Sequence, residues 1–192
     1  MIIKVRKLTW APVTSGGEGS AMVYTGGKVD SDKVVRVEQN EERNNSGFNA
    51  DDHRIDRDNS ISSATVNIEL AKLTDELKQK ALGYDVASGS TDMHVTDEAA
   101  PFLGVGFIHG DLYKGVESYT ATWYHKVQFS RGSRNFNTKG DSVAYQTETI
   151  NGEAMGVQLT EGGKTEFFVE SGELETEAAA LAWLKTKAGI SG

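Results

Sequence analysis

The chain contains no cysteine, and that absence removes disulfides, thiolate nucleophiles and zinc–thiolate sites together. Only two prolines stand against 21 glycines, so turns fall to glycine and small polar residues, a balance that suits a sheet protein better than a disordered chain. No apolar run approaches the roughly 20 residues that a membrane span requires. The start, Met1-Ile2-Ile3-Lys4-Val5-Arg6, lacks the apolar stretch and cleavage site of a signal peptide. A soluble protein made in the cytoplasm, without membrane contact, is expected. Cations are scarce: 20 lysines and arginines face 28 acidic residues, for a net charge of −8. No basic field therefore exists to hold nucleic acid by its phosphates.

Signatures of catalysis are missing in the same way. Serine nucleophile elbows, dinucleotide-binding glycine loops and H-E-x-x-H do not occur. Thr14-Ser15-Gly16-Gly17-Glu18-Gly19-Ser20 is glycine-rich, but it has no Gly-Lys-Ser/Thr and no helix to follow, so it reads as a flexible loop rather than a phosphate cradle. The histidines His53, His94, His109 and His125 show no metal-ligand spacing, and His125, beside Trp123 and Val127, reads as a core or interface histidine. No catalytic residue, cofactor or metal is expected.

What the chain does have is strands. In Tyr119 to Phe129 the alternation puts Ala121, Trp123, His125, Val127 and Phe129 on one face and Thr120, Thr122, Tyr124, Lys126 and Gln128 on the other. Pro101 to Ile108 and Val143 to Ile150 have similar β-rich composition, with separators expected at Gly110-Asp111 and Asn135 to Gly140. Further strands are expected over Lys33 to Gln39, Ile61 to Leu70 (Ala64, Val66, Ile68 and Leu70 inward) and Thr165 to Glu170. Met1 to Leu8 reads either as a first strand or as a mobile arm, the arm reaching as far as residue 20. Thr74 as N-cap, Asp75 and Glu76 in the first turn and Gly83 at the end predict a helix with Leu73, Leu77 and Ala81 as its apolar stripe. An alanine-rich helix is predicted from Thr176 to Lys185, stopped at Gly189.

Between Asn40 and Asn59 the chain turns polar and mixes signs: Glu41, Glu42, Asp51, Asp52, Asp56 and Asp58 against Arg43, Arg54 and Arg57, with Phe48 and Ile55 embedded. A structureless connection of about 20 residues is uncommon in a compact domain unless it is functional or disordered. This one suits a loop that docks on another surface. Asp56-Arg57-Asp58-Asn59-Ser60 begins like a calcium loop, but Ile61 stands where glycine is needed and Asn67 where glutamate is needed. The cluster therefore reads as a solvated, salt-bridging face. Arg131 to Gly140, the one locally basic stretch, suits a strand-edge turn or the polar rim of a protein contact.

The order Phe48-Asn49-Ala50-Asp51-Asp52, a strand ending Asn67-Ile68-Glu69-Leu70, a helix with Leu77-Lys78-Gln79-Lys80-Ala81-Leu82-Gly83-Tyr84, Pro101 to Phe107, Tyr124-His125-Lys126-Val127-Gln128-Phe129 and Tyr145-Gln146-Thr147-Glu148-Thr149-Ile150 resembles the major tail proteins, or tail tube subunits, of phages with long non-contractile tails. The likeness covers roughly Val34 to Gly156. It implies a single domain over residues 1–192, mainly β with α: a β-sandwich or half-barrel flanked by one short helix, with a C-terminal strand and helix extension over residues 157–192. Further implications are homo-hexameric rings stacked into a tube that conducts DNA without specific binding, tape-measure and tail terminator or distal tail proteins as partners at the tube ends, and a place in the virion tail. By the same likeness residues 40–59 form an inter-ring loop. Other readings are a monomeric β-barrel holding a small ligand, a tube subunit of a contractile or secretion system, and a metal-dependent enzyme using Asp51 to Asp58.

Overall fold

The computed structural model describes residues 2–30, 34–44, 46–50, 53–132 and 147–190. In chain order they form β1 (Ile2–Ser15), β2 (Val23–Tyr24), β3 (Lys28–Asp30), β4 (Val34–Arg43), β5 (Ser46–Ala50), β6 (His53–Asp58), β7 (Ile61–Leu70), α1 (Asp75–Leu82), β8 (Phe102–Tyr113), β9 (Val116–Arg131), β10 (Glu148–Ala154), β11 (Val157–Gln158), β12 (Thr165–Glu166), β13 (Phe168–Glu170) and α2 (Glu177–Lys187). The fold is mainly β with two helices.

One antiparallel sheet dominates, in the order β2-β1-β8-β9-β10-β7-β4, with β3 added to β1 and β13 to β9. Along that path β1 and β4 are five spacings apart, about 24 Å on a flat sheet. They nevertheless lie in contact, so the sheet curls into a barrel-like wall. A hydrogen bond across the interior, from Gln39 Nε2 on β4 to the Tyr124 hydroxyl on β9 (2.9 Å), reports the same curvature.

The interior is filled by Leu8, Trp10, Val66, Ile68, Phe107, Tyr124, Phe129 and their neighbours. β7 alternates as its sequence predicts, with Ala64, Val66, Ile68 and Leu70 buried. Helix α1 follows it across one end of the barrel. The Thr74 side chain accepts from the Leu77 amide, Gly83 closes the helix in the left-handed region, and Leu77 and Ala81 are buried in the barrel core with Leu73. A second apolar layer lies on the opposite face of the sheet, where α2 places Ala180, Leu184 and Ala188 over Ala11, Ile108, Ala121 and Trp123. The terminal helix thus packs on the sheet of its own chain, with Glu177 3.5 Å from Arg6 on β1.

Several expectations change. The N-terminal residues are no arm: β1 is an inner strand, laddered to β8 from Ile2 to Pro12. Gly110-Asp111 is no separator, because β8 runs through it to a tight turn at Lys114 (φ 50) and Gly115 (φ 82), the paired positive φ values that a two-residue hairpin requires. The faces of β9 also exchange along its length. Leu103 pairs with Val127 and Val105 with Tyr124, two steps on β8 against three on β9, which is a β-bulge. Ala121 and Trp123 consequently face α2, whereas Val127 and Phe129 face the barrel interior. The strand expected over Thr165 to Glu170 breaks at Phe167, β12 pairing with β11 and β13 with β9. Val143 to Gln146 and most of the basic stretch after Gly132 lie outside the described residues.

Candidate interaction surface

Residues 40–59 are not an irregular loop. β4 continues to Arg43, Asn44 N donates to the Ser60 carbonyl (2.9 Å), and the Asn44 and Ser60 side chains bond at 3.0 Å. β5 and β6 then pair with each other, Phe48 opposite Asp56, Gly47 opposite Arg57 and Asn49 opposite Arg54, with Ile55 at the register shift. The polar stretch is therefore one two-stranded ribbon that prolongs β4 and β7.

Where that ribbon leaves the barrel follows from the registers. β10 pairs with β7 only as far as Ala64, while β4 stays with β7 to Arg43 opposite Ile61. Beyond Ala64 the ribbon has no third strand on the ladder among the described residues. β7 and β9 are both antiparallel to β10 and so run the same way. The β8–β9 hairpin therefore extends from the same end as the ribbon, and α1 covers the other. At that hairpin's tip Tyr113 and Val116 are 68% and 69% exposed; the Lys-Gly turn that places them is a weaker sequence signal than Asn-Gly, and sequence reasoning missed them.

Of the residues expected to make inter-subunit contacts, Glu41, Glu42 and Arg43 lie on β4, Phe48 on β5, and Arg54, Ile55, Asp56, Arg57 and Asp58 on β6. The ribbon brings them together along one element. Asp51 and Asp52 lie outside the described residues. Charges on β4 are partly satisfied within the chain. Arg43 meets Glu41 at 2.7 Å and donates to the Asn59 carbonyl at 3.4 Å, and the Glu42 carboxylate accepts from the Ser63 hydroxyl at 3.2 Å. These groups are exposed, so each pair contributes about 0–1 kcal/mol and sets geometry more than stability.

A second surface was also missed. α2 covers β1, β8 and the first half of β9, but the outward face of β4, β7, β10 and the second half of β9 lies beyond it. Cross-strand rows there read Asn40, Thr65, Glu153, Gln128 and Glu38, Asn67, Asn151, Ser130. Hydroxyls, amides and carboxylates thus tile a polar wall. The alternation that buries Val66 and Ile68 also sets Thr65 and Asn67 outward, so the individual faces were readable; which strands would be adjacent was not.

Buried phenols organise the seam between the two apolar layers. The Trp123 indole donates to the Tyr24 hydroxyl (3.2 Å), which donates to the His125 carbonyl (2.9 Å). Burial pushes both Tyr24 and Tyr124 up to about 12, so both stay protonated at neutral pH. Among the described residues no group of three or more histidines and carboxylates is placed to hold a metal, and no helix is long and apolar enough to cross a membrane. Compared with protein-family models and with curated protein sequences, the chain matches none.

Proposed function

We propose that this chain is a structural subunit that assembles with copies of itself into stacked hexameric rings, forming the tail tube through which a long-tailed phage passes DNA. The observation that carries the reading is the ribbon: β4 and β7, prolonged by β5 and β6, run past Ala64, where β10 leaves their ladder, with no further strand beside them among the described residues. An isolated two-stranded hairpin is marginally stable in water, so an extended one with a mixed-charge sequence fits an element that docks on a neighbour, where complementary charges fix register. The polar wall supports the same reading. Carboxylates and neutral polar groups facing a conduit, on a subunit of net charge −8, keep a polyanion from adhering. Tape-measure and tail-end proteins would be its further partners, and the virion tail its location.

Negative-stain electron microscopy over a protein concentration series tests the reading. Hollow rings or filaments with a lumen of about 20 Å or more, the width a DNA duplex needs, are the expected outcome. Particles of single-subunit size at every concentration would overturn it.

A further inference from the structure

β9 changes partner part-way along its edge. β10 pairs with it from Arg131 to Val127, and β13 takes over from Tyr124 to Thr122. His125 sits at the changeover, in the bulge. Its amide donates to the Phe167 carbonyl (3.2 Å), so the residue belongs to the joint that holds the β12–β13 edge on β9. Because β7 has parted from β10 by this level, the sheet forks here, and a cleft lined by Ser60, Ile61 and Ser62 on one side and by Lys164 to Phe168 on the other occupies the fork.

The His125 side chain is only 6% exposed, and its Nε2 has no hydrogen-bond partner among the described residues. Among the described residues one carboxylate faces it: Glu166 Oε2 on β12 lies 3.6 Å from Nε2, and the Glu166 side chain is 47% exposed. From α2 the Lys187 ammonium acts on the ring through space. From β2 the Tyr24 phenol bonds the His125 carbonyl rather than the ring. On β9 itself the neighbouring Tyr124 hydroxyl is taken by Gln39. A neutral imidazole is accommodated, whereas a cation there would have one half-exposed acid and a like charge for company.

We propose that His125 is a protonation switch for the segment Val157–Glu170: the neutral ring keeps the β12–β13 edge zipped to β9, and the protonated ring releases that edge and widens the fork. Burial holds the His125 ring below the ordinary histidine range, with Glu166 opposing and Lys187 reinforcing the shift. A histidine depressed in the closed form binds its proton more readily once the segment opens. Closure is therefore fully favoured above the ordinary histidine value of about 6.5 and weakens as pH falls through it towards the lower, folded value. Release would bare the β9 edge from Thr122 to Tyr124 together with Phe167 and Phe168, which pack on the barrel core. This inference stands whether or not the chain forms tubes.

Amide hydrogen exchange on the full chain at about pH 7.5 and about pH 5, corrected for intrinsic exchange, tests it. Amides of His125, Val169 and Ser171, which point across this edge, are expected to lose protection by about tenfold or more at the lower pH, while those of α1 and the β4–β7 ladder do not. His125→Gln should abolish the acid loss, and Glu166→Gln should enlarge it, because the one group favouring the cation is gone. Equal protection of the wild type at both pH values would overturn the proposal. So would an acid loss in His125→Gln as large as in the wild type, or a smaller one in Glu166→Gln. The Glu166 variant changes a half-exposed side chain and keeps the test decisive if His125→Gln does not fold.

Discussion

Gly104 shows how closely single residues are held. It lies on the α2 side of β8, and a Cβ there would overlap the Trp123 ring and the Tyr24 ring, which meet edge to face with centroids 5.3 Å apart. Both rings are fixed by the hydrogen bonds that run from Trp123 through Tyr24 to the His125 carbonyl, so neither can withdraw without losing one. Gly104→Val should cost about 1–3 kcal/mol, the range for overpacking a filled core. At roughly 2–4 °C per kcal/mol for a chain of this length, differential scanning calorimetry resolves that loss. An unchanged melting temperature would mean that the two rings yield freely. Sequence could not flag this glycine among 21, since its constraint comes from a tyrosine 80 positions earlier in the chain.

At the scale of elements, the hairpin β5–β6 is separable by construction, because the two strands pack chiefly against each other. Replacing residues 46–58 by a two-residue turn should leave the melting temperature within about 2 °C, a surface change of under 0.5 kcal/mol, and under the proposed function should abolish ring stacking in the electron microscope. A collapse of the melting temperature would instead make the hairpin part of the fold. The same element explains what sequence could and could not tell. β7 and α1 were legible to the residue because each buries one face, so apolar residues recur at period two or along a helical stripe. β5 and β6 read as a loop in the sequence, because such a polar ribbon offers no apolar period to find. β9 was found as a strand but assigned the wrong faces after Trp123, since one bulged residue inverts the parity of everything beyond it. The break at Phe167 was equally hidden, being imposed by the change of partner at His125.

At the scale of the whole molecule, charge and shape pull in different directions. Each chain carries −8, so copies repel at long range, and the proposed assembly requires close complementary contacts to offset this. Raising ionic strength from about 0.05 to 0.5 M shortens the screening length several-fold. If net repulsion dominates, the concentration at which rings appear in light scattering should fall with added salt; a rise would show that ion pairs across the contact dominate.

The two hairpins leave the barrel from one end, and a short capped helix closes the other. A body so built has a head and a foot. If copies add end to end in the same sense, as the proposed function requires, the two tips of the rod present different chemistry, so that whatever starts such a rod and whatever stops it would have to recognise unlike surfaces of one and the same chain.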